Sequence, residues 1–484
     1  MLFRFRRVRI SNATRNLQKN WLSPVKSGDE TAIGDWSEQW IETLPKLAGW
    51  KSTRQALARI GRWTNEVEDF ARRKLLGSGP ADRKCALADA QFVIARSHGF
   101  ESWPKFAKHL EALARKSSSV SRFEAAADAI VSGDVATLKR LLREDPNLIR
   151  ESSTREHGAT LLHYVSANGV EGYRQKTPKN IVAITEMLLN LGAEIDATAN
   201  VYGGGCTTLG LVATSVYPER AGVQEALLQT LLDHGASLEQ PSIAGNRQSI
   251  VIACLANGRP KAAEFLARCG AHLDLAGAAA LGRLDVVNSF FDEHGALKPN
   301  ASRDQLKDGF IYACGYGRNR VVEFLLGKDM DLAAHSGDGQ TALHWATIGG
   351  HLDTVKLLLR HSAPLEVQNL YGGTVLGQTL WSAAHGGDPD VYIDILQALA
   401  AAGAKIPERH VSVNTRVNAW LAEHGSRSEP GWYWYGEKPV ARSSQFWSTS
   451  TRNLGATGSA IVPVYAEVIR FLDRPVAGWP ISSG

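Results

Sequence analysis

The chain has 484 residues, more than one hydrophobic core usually serves, so we expect several domains or a repeat array. Its apolar fraction of 44% and charged fraction of 21% are typical of a folded protein and exclude wholesale disorder. The formal net charge is +5, and it is unevenly distributed: residues 1–120 hold 22 Lys and Arg against 12 Asp and Glu, and the remainder holds 32 against 37.

Residues 1–35 form a basic segment that matches no recognised sequence motif. Its first ten residues carry four arginines without an apolar segment behind them, so a secretory signal is not predicted. No window of the chain contains the roughly 18 uninterrupted apolar residues that a membrane span needs. We therefore expect a cytoplasmic protein with no membrane partner.

Residues 36–116 are predicted to form a small helical region. Ser52 precedes apolar residues at helical spacing from Leu57 to Phe70, and Gly77 ends that helix. A second helix is predicted over 87–96, and a third begins after Ser102 with Pro104 in its first turn. The first helix and its end carry six basic residues, Arg54, Arg59, Arg62, Arg72, Arg73 and Lys74.

The strongest signal is internal self-similarity over residues 121–411. Its clearest copy contains Thr341-Ala342-Leu343-His344, the turn Gly349-Gly350, and the apolar run Val355 to Leu359. Degenerate copies end in a similar way, and their endings are 25 to 43 residues apart. These endings are marked by Gly192, Gly235, Gly270, Gly295, Gly327 and Gly403, with Ser362 replacing the glycine in the clearest copy.

The pattern predicts stacked helix pairs, because one short pair cannot bury its apolar stripe alone. A glycine at each ending supplies the left-handed conformation that stops the second helix, and Thr341 is a good N-cap for the first. With a further copy at 123–146, we predict about eight repeats. A capping helix is predicted within 412–425, and residues 426–484 are an unassigned tail that is compatible with disorder.

The Thr341-to-His344 motif with its following turn and apolar helix resembles the ankyrin repeat. The segments 87–111, 202–215 and 371–377 resemble a family of bacterial ankyrin-repeat proteins in which a helical region precedes the repeats. The resemblance covers about 85–411, and the insertion at 170–180 departs from it. It implies an all-α ankyrin-repeat solenoid, with hairpin loops between helix pairs, preceded by a small helical region.

No motif predicts catalysis, a cofactor or a metal site. The Gly203-Gly204-Gly205 run lacks the G-x-x-x-x-G-K-[ST] pattern and a strand-to-helix context, so a permissive turn explains it. The resemblance implies that His163 and His344 tie each hairpin to the adjacent helix. Cys254 and Cys314 fall at small core positions, where burial makes a thiol inert.

The resemblance also implies a groove lined by hairpin tips and by the exposed side of each first helix. On that face we place seven residues: Tyr164, Tyr312 and Trp345 at equivalent positions, Tyr316 and Ile348 a turn later, and Asp338 and Gln340 in a hairpin. Tyrosine and tryptophan contribute strongly at protein interfaces. We therefore predict a non-enzymatic module that binds an unidentified protein, with core packing as the alternative role for each aromatic residue.

Two other functions are weighed against protein binding. The basic residues of the first helix could contact nucleic acid, but their spacing winds around the helix and gives no single stripe. An enzyme would need its catalytic centre in the tail, whose 59 residues are too few for an ordinary catalytic core. Both functions are therefore disfavoured.

Overall fold

A computed structural model describes residue 95 and residues 98–115, 117–202, 204–239, 249–385, 387–411 and 413–429. Within them the chain is helical with four very short strands, which confirms the predicted all-α repeat solenoid class. The predictions for residues 1–94, including the six basic residues, and for 430–484 lie outside the described residues. The described part divides into two compact units, one up to Thr208 and one from Leu209. This boundary falls inside the stretch 121–411 that was predicted to be one array.

The first unit contains one leading helix and two helix pairs. In the leading helix, Ser102 stands at the N-cap and Pro104 in the first turn, where proline is tolerated. The helices are α1 (Trp103–Ala114), α2 (Ser119–Ser132), α3 (Val135–Glu144) and α4 (Ile181–Asn190). Three 3₁₀ helices occupy Pro146–Arg150, Leu161–Ser166 and Gly172–Arg174. Strands β1 (Thr198–Ala199) and β2 (Cys206–Thr207) pair antiparallel, with Thr198 opposite Thr207.

The two helix pairs of the first unit are repeats 1 and 2. Repeat 1 is α2 with α3, and repeat 2 is the 3₁₀ helix Leu161–Ser166 with α4. Repeat 2 contains the 170–180 insertion, which includes the 3₁₀ helix Gly172–Arg174.

The second unit contains six further helix pairs, repeats 3 to 8, and a C-terminal helix. The helices of repeats 3 to 5 are α5 (Thr208–Thr214), α6 (Val216–Arg220), α7 (Gln224–Asp233), α8 (Ile250–Ala256), α9 (Pro260–Arg268), α10 (Leu275–Leu281) and α11 (Leu284–Ser289). Those of repeats 6 to 8 are α12 (Arg303–Gly315), α13 (Asn319–Leu326), α14 (Ala342–Ile348), α15 (Leu352–Arg360), α16 (Val375–Ala384) and α17 (Pro389–Ala401). The described residues of the two units thus hold the predicted number of about eight repeats.

A short closing structure follows repeat 8. Helix α18 (Thr415–Glu423) begins at the N-cap Asn414, whose side chain accepts a hydrogen bond from the backbone of Val417. Val417, Trp420 and Leu421 are buried, as the sequence pattern predicted, and α18 packs against α17. Strands β3 (Arg409–Val411) and β4 (Arg427–Glu429) flank α18 and pair in parallel, with Arg409 opposite Arg427. One continuous apolar core runs from Leu275 to Leu421.

Most of the predicted left-handed endings are present. Gly192, Gly235, Gly270, Gly295 and Gly403 have φ between +80° and +95°, and Ser362 has φ of +59°. The prediction that a left-handed glycine stops the second helix is wrong for Gly295, which lies in the turn between the bridged residues Phe291 and Leu297, beyond the end of α11 at Ser289. It is also wrong for Gly327, which caps α13 at φ −72°. In repeat 6 the left-handed residue is Asp329, at φ +52°, which lies beyond the C-cap Gly327.

Neighbouring repeats of the second unit are joined by an ordered set of side-chain to backbone hydrogen bonds. Arg318 Nε donates to the carbonyl of Ala280 at 3.0 Å, and His351 Nε2 lies 3.1 Å from the carbonyl of Gly315. Tyr392 donates its hydroxyl hydrogen to the carbonyl of Ile348 at 3.0 Å. The three carbonyls lie at or near the end of the first helix of one repeat, and each donor comes from the next repeat. These bonds satisfy helix-end carbonyls that have no partner within their own helix.

The first helix of repeat 7 begins with a reciprocal cap. The hydroxyl of Thr341 accepts a hydrogen bond from the backbone of His344, whose side chain bonds back to the backbone of Thr341. The other ring nitrogen of His344 lies 3.3 Å from the carbonyl of Gly373, in the next hairpin. His163 makes the equivalent contact with the carbonyl of Cys206 in the first unit, also at 3.3 Å. The predicted role of both histidines as ties between a hairpin and a helix is confirmed.

Candidate partner-binding face

Four of the predicted groove residues lie together in repeats 6 and 7. Trp345, on α14, is half-buried, and its indole nitrogen donates to the Ser336 hydroxyl at 3.1 Å. Tyr312, on α12, is half-buried as well; burial raises the pKa of its hydroxyl, and the nearby charges of Asp308 and Asp338 add to this effect. Tyr316 also contributes to the electrostatic environment of Tyr312. The structure therefore brings Tyr312, Tyr316, Asp338 and Trp345 into one cluster.

Tyr316 also has a structural contact. Its hydroxyl donates to the carbonyl of Leu255, in repeat 4, and so reaches past repeat 5. Repeat 5 leaves room for this because its first helix, α10, consists almost entirely of alanine and glycine between two leucines. Helices α10 and α12 pack closely at Gly309, where a β-carbon would lie 3.1 Å from Ala276. Tyr316 thus links repeats as well as forming part of the cluster.

Asp338 and Gln340 lie in the hairpin before α14, as predicted, but their side chains are only 4% and 5% exposed. Asp338 accepts hydrogen bonds from the hydroxyl of Ser336 and from the amide nitrogen of Gln340, the latter at 3.3 Å. Both side chains point into the hairpin because they satisfy its polar groups. The expectation that they offer polar contacts on the groove surface is therefore wrong.

Tyr164 is a further correction, because it is fully buried in the first unit. The 170–180 insertion covers it: the hydroxyl of Tyr164 donates to Glu171 at 3.3 Å, and the guanidinium of Arg174 lies 5.6 Å from its ring centre. Residues at the same motif position in repeats 6 and 7 have no such insertion beside them. Tyr164 is thus a core residue and cannot touch a partner.

The insertion also completes a buried ionic network. Arg174 Nη1 lies 2.8 Å from Glu124 Oε2, and Arg155 Nη1 lies 2.8 Å from Glu171 Oε1. Burial alone would raise the pKa of Glu124, but the charges of Arg155 and Arg174 outweigh it and hold that pKa below its usual value. Burial would likewise raise the pKa of Glu171, but His157, whose Nε2 lies 3.5 Å from Glu171 Oε1, and the same two arginines outweigh it and lower that pKa. Inside the first unit, these ion pairs take the place of the water that would otherwise hydrate the charged groups.

Two exposed apolar residues that the sequence analysis did not single out stand beside the cluster. Leu370 is 50% exposed and Tyr371 is 40% exposed, at the tip of the hairpin before α16. Asn369 turns this tip, because its side-chain oxygen accepts hydrogen bonds from the backbone of Tyr371 and of Gly373 at 3.0 and 2.9 Å. The backbone nitrogen of Leu370 donates to the carbonyl of Asp338 at 3.0 Å, so this tip adjoins the preceding hairpin.

The aromatic cluster and the exposed tip are linked through Asp338, which acts on Tyr312 and whose carbonyl accepts the hydrogen bond from Leu370. Together we call them the hairpin-side face, which comprises Tyr312, Tyr316, Trp345, Leu370 and Tyr371. Ile348, the last of the predicted groove residues, ends α14 with a half-buried side chain. An exposed apolar tip beside aromatic side chains is the kind of surface that protein interfaces bury.

Residues 310–410 match the family model of ankyrin repeats, in three copies. This match covers repeats 7 and 8 and repeat 6 from Phe310 onward, and therefore the whole hairpin-side face. A segment of 80 residues is also 38% identical to inversin of Danio rerio. That similarity covers 15% of this chain and 8% of the inversin chain, so the present chain spans only a small part of this curated relative.

Ankyrin repeats are in general protein–protein interaction modules, and the match indicates a module of this general kind for residues 310–410. In the part of the chain that the structure describes, no three His, Cys, Asp or Glu side chains are placed to hold a metal ion. Among the same residues, no helix is both long and apolar enough to cross a bilayer.

The signal that could have revealed Leu370 and Tyr371 is the turn sequence Asn369-Leu370-Tyr371-Gly372-Gly373. Asparagine followed by glycines is typical of a tight turn, and the two residues between them then lie at its tip. The first unit contains a similar sequence at 200–204, where Tyr202 is 71% exposed. The pattern thus predicts exposed tips more reliably than a residue's place in the T-x-L-H motif does.

Proposed function

We propose that this chain is a non-enzymatic, cytoplasmic protein-binding module whose hairpin-side face captures a partner protein, as a scaffold or regulator. The observation that carries the proposal is the exposed pair Leu370 and Tyr371 beside half-buried Tyr312 and Trp345. Large rigid side chains next to an exposed apolar tip can anchor a partner at low cost in conformational entropy. Family membership of repeats 6 to 8 supports the same function.

Tyr312 and Trp345 are less suitable for a test than the exposed tip. Trp345 is bonded to Ser336 and packs against Gly315, where a β-carbon would lie 3.4 Å from the tryptophan. Replacing it would therefore destabilise the hairpin together with any binding surface. Leu370 and Tyr371 can be changed with little loss of packing, because both side chains are exposed to solvent.

The experiment compares three full-length proteins as bait in lysates of the native cell. The binding variant combines Leu370→Ser with Tyr371→Ser, and the control is Leu191→Ser, which removes a similarly exposed leucine, 52% exposed, in the first unit. We expect the wild type and the control to enrich the same partner. The binding variant should retain at most about a tenth of it, since an interface anchor contributes about 2 kcal/mol or more. Equal capture by all three proteins would refute the proposal, as would no enrichment by any of them.

A further inference from the structure

Acidic side chains border the hairpin-side face along helix α12. Asp304, Asp308 and Tyr312 are spaced four residues apart and so follow one side of this helix. The side chain of Asp304 is 80% exposed, and that of Asp308 is 34% exposed. This line of side chains thus runs from the exposed Asp304 to the half-buried Tyr312.

These carboxylates have too few counter-charges around them. Lys307 is shared between the two, with its Nζ 3.6 Å from Asp304 Oδ1 and 3.7 Å from Asp308 Oδ1. Asp274, at the N-cap of α10, acts on Asp308 as a further negative charge. Burial raises the pKa of Asp308, Lys307 lowers it, and the carboxylates of Asp304 and Asp274 raise it further, so that the net effect is upward.

The buried carboxylate of Asp338 adds negative charge beneath the same surface, since it also acts on Tyr312. An aromatic ring presents negative charge density on its face, so a cation placed against Tyr312 or Trp345 is attracted by the ring as well as by the carboxylates. A positively charged group therefore gains two favourable interactions here, whereas a carboxylate would meet like charges.

Resting on the proposed function, we infer that the partner segment bound by the hairpin-side face is basic. It presents Lys or Arg side chains to Asp304 and Asp308, and an apolar side chain to Leu370 and Tyr371. The charges at this rim contribute to the speed of association and its salt dependence, while the apolar contact contributes to lifetime. A bound cation would add a second positive charge to the single lysine that Asp304 and Asp308 share.

The test is a selection of random 12-residue peptides displayed on phage against the immobilised full-length protein. We expect enriched peptides to carry Lys or Arg together with an apolar residue. Affinity of an enriched peptide is then measured for the double variant Asp304→Asn with Asp308→Asn. The control variant carries Glu323→Gln and Asp353→Asn, which change exposed acidic residues on the second helices of repeats 6 and 7.

The Asp304→Asn, Asp308→Asn protein should bind the basic peptide about fivefold or more weakly, because two exposed charge pairs are removed. The control should bind as the wild type does. Raising the ionic strength should weaken wild-type binding more than binding by the double variant, since screening acts on the charges that the variant lacks. Circular dichroism of the variants verifies that the helices are retained.

The outcomes separate the inference from the function on which it rests. Enrichment of neutral or acidic peptides that the Leu370→Ser, Tyr371→Ser variant no longer binds would overturn the inference and leave protein binding by this face intact. Equal weakening in the control would overturn the inference as well, because the charge effect would then not be local. No enrichment, or enrichment that survives the Leu370→Ser, Tyr371→Ser changes, would overturn both.

Discussion

The ring of His351 lies directly over Gly317, and its Nε2 atom is 3.1 Å from the carbonyl oxygen of Gly315. A β-carbon at Gly317 would lie 2.7 Å from His351 Nδ1, so the absence of a side chain there leaves room for this contact. Gly282 has the same relation to Arg318, at 3.1 Å. In both cases the turn glycine of one repeat leaves the space that a side chain of the next repeat occupies.

The change Gly317→Ala should destabilise the second unit by more than its backbone conformation alone requires. At φ +65° an alanine costs about 1–2 kcal/mol, and the clash with His351 adds about 1–3 kcal/mol. The control is Gly222→Ala, at the similar φ of +70° with open space around it, which has only the conformational cost. Urea unfolding measures both, and adding His351→Ala to Gly317→Ala should recover part of the difference. Equal losses for the two glycine variants would contradict the close approach.

Removing Arg174 should destabilise the first unit strongly, because Glu124 and Glu171 would remain buried with one positive charge fewer. We expect Arg174→Met to cost about 3–5 kcal/mol in free energy of unfolding. Its control is Arg140→Met, which breaks an exposed pair with Glu144 and should cost about 0.5 kcal/mol or less. Hydrogen exchange of the α2 backbone reports the stability of this unit. Similar exchange in both variants would show that the network contributes little.

Acid should destabilise the repeats through their buried histidines. Burial lowers the pKa of His344 to about 4, although a hydrogen bond to the carbonyl of Gly373 opposes the shift, while the unfolded ring titrates near 6.5. The unfolded state therefore binds the proton first, so stability is full above pH 6.5 and falls as the pH decreases towards 4. The loss approaches about 3 kcal/mol for this ring. His163, with its pKa also near 4, should behave in the same way.

The measurement is the free energy of unfolding from pH 7.5 to 4.5 for the wild type and His344→Gln. The variant is less stable at neutral pH, because it loses the cap of Thr341, but its free energy should depend less steeply on pH. Carboxylates titrate in both proteins and cancel in the comparison. Parallel curves would mean that His344 takes up its proton at the same pH in the folded and unfolded states, so that burial does not lower its pKa.

Thiol reactivity should distinguish the cysteines sharply. Burial raises the pKa of Cys254 and of Cys314, and both are fully enclosed, whereas Cys269 is exposed at the end of α9. Brief treatment of the native protein with iodoacetamide should modify Cys269 and leave the two buried thiols intact until urea is added. Peptide mapping by mass spectrometry reads this out. Early modification of Cys314 would mean that repeat 6 opens readily.

Local chemistry explains which features could be predicted from the sequence. The Thr341 and His344 cap, the left-handed Ser362 and the helix at 414–424 each depend on neighbours within a few residues. Tyr164 could not be assigned correctly, because its burial depends on Arg174, ten residues further on, folding back over it. For Tyr164, a contact between separate segments was therefore the missing information. The exposed tip at Leu370 and Tyr371 is a different case, because Asn369 forms this turn with neighbours in its own segment and the sequence carries that signal.

The hydrogen bonds from Arg318, His351 and Tyr392 all run from a later repeat to an earlier one, which gives the stack a polarity. If a shortened protein stopped after α15, the carbonyl of Ile348 would lose its donor and the ring of His344 would lose the carbonyl of Gly373, yet Arg318 and His351 would keep their acceptors. If a protein instead began at α14, His351 would lack its acceptor. The two kinds of truncation are thus physically inequivalent, because only the second removes an acceptor from this series of three bonds.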